Sequence, residues 1–221
     1  NENPHGAVYP TPTIGMVGLI DDIAHITRAV FTTPGHAIVL LGEPTSELGG
    51  SEYLARVHGR VAGAPPACDL DAERRLIEAL LEAIRAGDVA SAHDCSEGGL
   101  AVALAESCMM LPNAATGADI DLSRWSAIPA RALLFGEAQG RVVVSTASAE
   151  RVIAAAERHG VSATTIGNVR SVDAGFTIRL NSGVLNGSVA SLADAYHQAI
   201  PRIMTRVASA VLDDDLLPVG T

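Results

Sequence analysis

The densest cluster of reactive side chains is the run Ser91-Ala92-His93-Asp94-Cys95-Ser96-Glu97-Gly98-Gly99-Leu100, which brings a base, two carboxylates and a hydroxyl into what reads as a strand-to-helix turn. Such a turn aims backbone N–H groups beyond the helix N-terminus, where an anion or a phosphate fits. Gly98 and Gly99 let another backbone or a ligand approach closely. The same residues also make an ordinary helix start, with Asp94 or Ser96 as the cap and Glu97 as a first-turn carboxylate favoured by the dipole. A second segment, Phe135-Gly136-Glu137-Ala138-Gln139-Gly140-Arg141, is a polar loop bounded by glycines. Its Gln139 amide and Glu137 carboxylate can recognise a substrate, or the loop can be a plain connection. A third, Glu47-Leu48-Gly49-Gly50-Ser51-Glu52-Tyr53, is a glycine turn opening a helix, and a plain cap accounts for it.

Other chemistries find no support. His5, His25, His36, His58, His93, His159 and His197 contain no i,i+4 pair, so a helix-borne zinc pair is excluded. Cys68, Cys95 and Cys108 are widely spaced and suggest neither a metal-ligand pair nor a disulfide framework. Cys95 lies in a polar loop where a nucleophile could sit, but a small packing residue beside a helix start is the preferred reading. All 15 basic residues are arginine. With no lysine, the chain can form neither a Walker-type phosphate loop nor a Schiff base. The net charge of −10 and the scattered arginines argue against nucleic acid as a partner. No apolar run approaches the roughly 18 residues of a membrane span. A reducing, cytoplasmic setting is the simplest expectation.

The elements that must hold these segments are legible in part. Residues 1–12 read as loop, broken by Asn3-Pro4, His5-Gly6 and Pro10-Thr11-Pro12. Thr13 to Asp21 reads as a strand, and His36 to Gly42 as a buried one. Ser51 caps a short helix through Val57. Asp69 or Asp71 caps the strongest helix, whose apolar period is Leu76, Ile77, Leu80, Leu81 and Ile84 and which stops at Gly87. A helix from near Ser96-Glu97 runs through Leu100, Leu104 and Met109. Strands are expected at Arg141 to Thr146, near Ala163 to Val169 and at Gly175 to Leu180, the last ending in the hairpin signal Asn181-Ser182-Gly183. Helices are expected at Ala149 to His159 and from Ser188 to about Ala199, where Pro201 limits the second. The alternation is not cleanly βαβ, so a two-layer α+β domain is expected. At 221 residues, 48% of them hydrophobic, the chain can bury a core, and its first residue, Asn1, reads as an internal start.

Three stretches together carry a resemblance: Pro10 to Asp21 (PTPTIGMVGLID), Ser91 to Glu106 (SAHDCSEGGLAVALAE) and Leu133 to Ser145 (LLFGEAQGRVVVS). Their HDxSEGGL and PTPxIGxVGL patterns, in this order, resemble the C-terminal part of the large synthetase subunit of phosphoribosylformylglycinamidine synthase. The resemblance covers residues 1 to about 204. It implies a fold, the two-layer C-terminal α+β domain of the aminoimidazole ribonucleotide synthetase-like superfamily, preceded by the last strand of a neighbouring nucleotide-binding domain. Residues 1–24 would then be a loop and strand of that neighbour, 25–204 the α+β domain and 205–221 a loose tail.

The resemblance also implies an activity. Members of that family are ATP-dependent ligases of purine biosynthesis that convert formylglycinamide ribonucleotide to its amidine with glutamine-derived ammonia. ATP and magnesium are the implied cofactors, bound mainly by upstream domains. The family's catalytic histidine, ATP-contacting lysine and magnesium carboxylates fall in the half of the family chain that precedes this one. No catalytic and no metal-binding residue is therefore expected here, and the chain alone should be inactive. Asn1 and Glu2 match the end of a Gly-Gly-Asn-x-Ser…Tyr-Asn-Glu stretch. Glu137-Ala138-Gln139 resembles a substrate-holding Glu-Ser-Gln, departing from it at Ala138. His93, Asp94, Ser96, Glu97 and Gly98 would line the cleft between domains, in structural or auxiliary-nucleotide roles. Expected partners are the upstream domains, a separate glutaminase subunit and a small accessory subunit. The alternatives are a related synthetase for aminoimidazole ribonucleotide or selenophosphate, against which the PTPxIGxVGL segment argues, and a non-catalytic scaffold docking the glutaminase.

Overall fold

The computed structural model describes residues 2–3, 6–7 and 13–205. Within the stretch read as loop, Glu2–Asn3 (β1) pairs antiparallel with Gly6–Ala7 (β2), so a two-residue hairpin replaces part of that loop. The apolar run Ala37–Leu41 (β3) becomes an interior strand of the main sheet, sending Ile38 and Leu40 to one face and Val39 and Leu41 to the other, and all four are buried. A strand that is apolar on both sides must be covered on both sides.

The remaining elements follow as Glu52–His58 (α1), Leu70–Arg85 (α2), Ser91–Asp94 (β4), Gly99–Met109 (α3), Gly117–Asp121 (β5), Ala130–Phe135 (α4), Val142–Thr146 (β6), Ala149–Arg158 (α5), Ala163–Arg170 (β7), Phe176–Leu180 (β8), Gly183–Gly187 (β9) and Val189–His197 (α6). Seven strands form one open sheet in the order β4-β6-β3-β7-β5-β8-β9. Every pairing is antiparallel except β5 with β8.

The larger core lies on the Ile38 and Leu40 face, where Leu100 and Leu104 of α3, Leu133 of α4 and Val189 of α6 pack on Val143, Ile120, Ile166 and Ile178. The smaller core gathers Val39, Leu41, Val142 and Val144 under Leu76 of α2 and Val152 of α5. The expected α+β domain built on a single sheet therefore holds. Over β6, β3 and β7 the helices α2 and α5 also cover the second face. Over β5 and β8 the corresponding face carries Asp119, paired bidentately with Arg179 at 2.5 and 3.0 Å, rather than apolar residues.

Asp69 caps α2 as expected, its Oδ1 accepting from the N–H groups of Asp71 and Ala72. The buried face of α2 is Leu76, Ala79 and Ala83, whereas Ile77 and Leu81 stay exposed. Small residues face α5, which buries Ala155 and Ala156 in turn. After α6 the chain turns at Gln198 and is helical again over 199–205, so Pro201 lies in a first helical turn instead of ending a helix. The tail expected from 205 lies outside the described residues beyond Thr205.

The strand expected at Thr13 to Asp21 is not formed. Ile14, Met16, Val17 and Leu19 are each more than four-fifths exposed. A strand needs a partner to take up its N–H and C=O groups, and no strand of the main sheet pairs with this segment. Contact with the sheet begins at Arg28, whose carbonyl accepts from Ala92 N–H at 3.0 Å. Phe31 then enters the larger core fully buried.

Candidate functional site

The three glycine-bounded segments, chosen from sequence separately, meet at one carboxylate oxygen. Glu137 Oε1 accepts from Gly98 N–H at 2.8 Å and from Glu52 N–H at 2.8 Å. The first donor stands at the start of α3 and the second at the start of α1. Neither N–H has an acceptor within its own helix, because the first turn of any helix leaves its donors unsatisfied.

The expected caps differ accordingly. Ser51 does cap α1, accepting from Leu54 N–H while its hydroxyl donates to Leu48 O at 2.7 Å. At α3 the cap position is Gly98, and neither the Asp94 nor the Ser96 side chain caps the helix; only the Ser96 carbonyl reaches it, accepting from Gly99 N–H at 3.0 Å. The Ser96 hydroxyl instead donates to the Asp94 carboxylate. That bond is the main reason why Asp94 is held below the usual carboxylate range, with partial burial opposing it.

On β4, His93 is nearly buried, with Nε2 3.1 Å from Glu106 Oε2 on α3. Its Nδ1 lies 3.6 Å from Asp94 Oδ1, too far for a hydrogen bond. Asp94, Ser96, Glu97 and Gln139 are exposed on the rim of this corner. Asn1 lies outside the described residues, and Glu2 sits in β1.

The loop 136–140 is built around Arg141, which the sequence reading did not single out. Its guanidinium is buried and donates from Nη2 to Gly136 O at 2.6 Å and to Ala138 O at 3.1 Å, with Nε 3.2 Å from Ala138 O. Above it, the Phe135 and Tyr53 rings stack at 5.0 Å and 11°. The sequence signal that could have found Arg141 is an arginine leading directly into a run of three valines in a fully buried strand.

The corner therefore shows carboxylates at its rim (Asp94 and Glu97) and keeps its cation beneath the surface. The backbone N–H of Gly98, which would suit a phosphate, is committed to Glu137. Among the described residues no three His, Cys, Asp or Glu side chains gather closely enough to hold a metal ion. Cys95 is a packing residue: burial pushes its thiol up to about 11, and that of Cys108 to about 12.

Raised thiol values favour the folded state below the ordinary thiol range, and that contribution fades as pH climbs through the folded values. At mildly alkaline pH, iodoacetamide is expected to label Cys68, which is exposed, and to leave Cys95 and Cys108 untouched until denaturant is added. Counting labelled thiols by mass spectrometry checks this, and rapid labelling of Cys95 in the folded chain would restore the nucleophile reading.

The family model for the C-terminal domain of AIR synthase related protein matches residues 33–178. Phosphoribosylformylglycinamidine synthase subunit PurL of Moorella thermoacetica is 42% identical over 209 residues, covering 93% of this chain and 28% of that protein. The chain thus spans little more than a quarter of the curated relative's length. The solved structure of T. maritima PurL complexed with FGAR superposes with a TM-score of 0.64 at 24% identity, over 77% of this chain and 30% of that one. The T. maritima PurL structure complexed with ATP superposes at 0.61 and 24% identity, over 77% and 28%. No helix among the described residues is long and apolar enough to cross a membrane. The chain belongs to the family of AIR synthase related proteins, whose C-terminal domain it carries, and its relatives there are the PurL subunits of phosphoribosylformylglycinamidine synthase.

Proposed function

We propose that the chain is a segment of an ATP-dependent, amidine-forming ligase of purine biosynthesis, acting in the cytoplasm on formylglycinamide ribonucleotide. The observation that carries this reading is the 42% identity to a PurL subunit across 93% of the chain. In the reaction, the ATP γ-phosphoryl group goes to the amide oxygen, which makes that oxygen a good leaving group, and ammonia then displaces it at the amide carbon. The ammonia would come from glutamine on a separate glutaminase subunit, with a small accessory subunit completing the assembly. No three His, Cys, Asp or Glu side chains among the described residues gather around a common point, so no step through magnesium is assigned to them.

Within this reading, residues 1–24 belong to a neighbouring nucleotide-binding domain and 25–204 to the present one. Asn1 and Glu2 then belong to that neighbour, and Asp94, Ser96, Glu97 and Gln139 face it across a cleft, while His93, Gly98 and Glu137 give the corner its shape. A scaffold role for this domain is favoured by one observation: the backbone N–H of Gly98 is already used by Glu137.

The full-length subunit that contains these residues, assayed with formylglycinamide ribonucleotide, ATP and ammonium, is expected to form the amidine, and residues 1–221 alone are not. Turnover by the isolated chain, or none by the full-length subunit, would overturn the reading. Titrating the isolated chain with ADP and magnesium separates a nucleotide binder from a scaffold, since only the former raises the melting temperature.

A further inference from the structure

We propose that Glu137 is a positioning residue: its carboxylate ties the starts of α1 and α3 to the loop 136–141, so it shapes the cleft rim and does not touch substrate. One oxygen serves two backbone donors that lie 85 and 39 residues away in sequence. Helix α3 has no side-chain cap of its own, so Glu137 is what satisfies Gly98. On α1 the Ser51 hydroxyl takes Leu54 N–H and leaves Glu52 N–H to Glu137.

The clasp is held from both sides. Beneath it, Arg141 fixes the carbonyls of Gly136 and Ala138. Beside it, the Tyr53 and Phe135 rings staple the same two segments. A carboxylate that gave up these bonds to reach a substrate would leave two helix-start donors without a partner, at a cost comparable to what a substrate contact returns. The consequence for the rim is direct: Asp94, Ser96 and Glu97 are carried on the turn whose end Glu137 fixes.

This role rests on the ligase reading only where it concerns the cleft, and the experiment separates the two. In the 221-residue chain, hydrogen exchange at Glu52 and Gly98 N–H should quicken about tenfold or more, and together, in Glu137→Ala. In Glu137→Gln the amide oxygen still accepts both bonds, and most of the protection should return. In the full-length subunit with its partners, Glu137→Ala should lower kcat for amidine formation and Glu137→Gln should recover most of that loss. Unchanged protection in Glu137→Ala, or a Glu137→Gln variant as impaired as Glu137→Ala with a raised KM for formylglycinamide ribonucleotide, would overturn the proposal. If Glu137→Ala does not fold, the Glu137→Gln arm decides alone. A subunit with no ligase activity removes the functional reading and leaves the exchange measurement to judge the clasp.

Discussion

Gly99→Ala is expected to cost the fold about 2–5 kcal/mol, a large share of the 5–15 kcal/mol that holds a domain of this kind together. Two effects add at this position. Gly99 has φ +68°, a left-handed conformation that costs an L side chain about 1–2 kcal/mol. A Cβ there would also stand 2.5 Å from Gly136 O, 2.9 Å from Phe135 C and 3.0 Å from Leu134 O. All three are backbone atoms, at the end of α4 and in the loop that carries Glu137, so no flexible side chain can yield. Overpacking of this sort costs about 1–3 kcal/mol. Gly50 supplies the control, because it shares φ +68° and an added Cβ meets nothing within 4 Å. Gly50→Ala should therefore lose the conformational part alone, about 1–2 kcal/mol. Urea midpoints for the two variants measure the difference. Equal losses would mean that the contact between the α3 turn and the 136–141 loop is not the tight one described above. A further consequence is local: pushing Gly136 away from Gly99 also draws Glu137 away from Gly98.

What could be read from the sequence was whatever short-range pattern determines. The aliphatic runs Ile38 to Leu41 and Val142 to Val144 read as buried strands, and they are paired interior strands of the sheet. Asp69 before a 16-residue amphipathic stretch, and Asn181-Ser182-Gly183 between β8 and β9, carry their own stop and start signals. Strand β5 gave no such sign. Gly117-Ala118-Asp119-Ile120-Asp121 looks like a loop until Ala118 and Ile120 are turned inward and Asp119 meets Arg179, 60 residues on. Helix α4 has only 6 residues and no side-chain cap, too little for a periodicity to show. The strand pattern at Thr13 to Asp21 shows the opposite failure, a local signal whose partner strand is not in this sheet. The site divides in the same way. Residue types picked out all three glycine turns, but their meeting at Glu137 depends on contacts that no spacing rule encodes. The expected caps at Asp94 and Ser96 lost to a carboxylate supplied from elsewhere in the chain.

Arg141→Met is expected to destabilise the domain by about 2 kcal/mol, and the sign is the informative part. The guanidinium is 3% exposed, and among the described residues no carboxylate pairs with it. Burial pulls its pKa down, which is the cost of keeping a charge out of water. Methionine removes that charge and keeps most of the apolar stem, so it recovers a desolvation penalty worth several kcal/mol. Against this stands the loss of the donors to Gly136 O and Ala138 O, in bonds from a charged group worth about 1.5–3 kcal/mol each. Gly136 is itself buried, so its carbonyl has little access to water once the guanidinium is gone. Because the stranded carbonyls belong to backbone fixed by α4 on one side and β6 on the other, they cannot turn away to find another donor, and the loss outweighs the gain. Arg141→Lys keeps the charge but replaces a planar fork with a single head, so it should also lose stability. Thermal melts of the three proteins rank these effects. A methionine variant as stable as the parent would show that the buried charge is the larger quantity and that the loop holds its shape without it. The expected loss should come with faster amide exchange at Glu52 and Gly98, since Arg141 fixes the loop from which Glu137 reaches both.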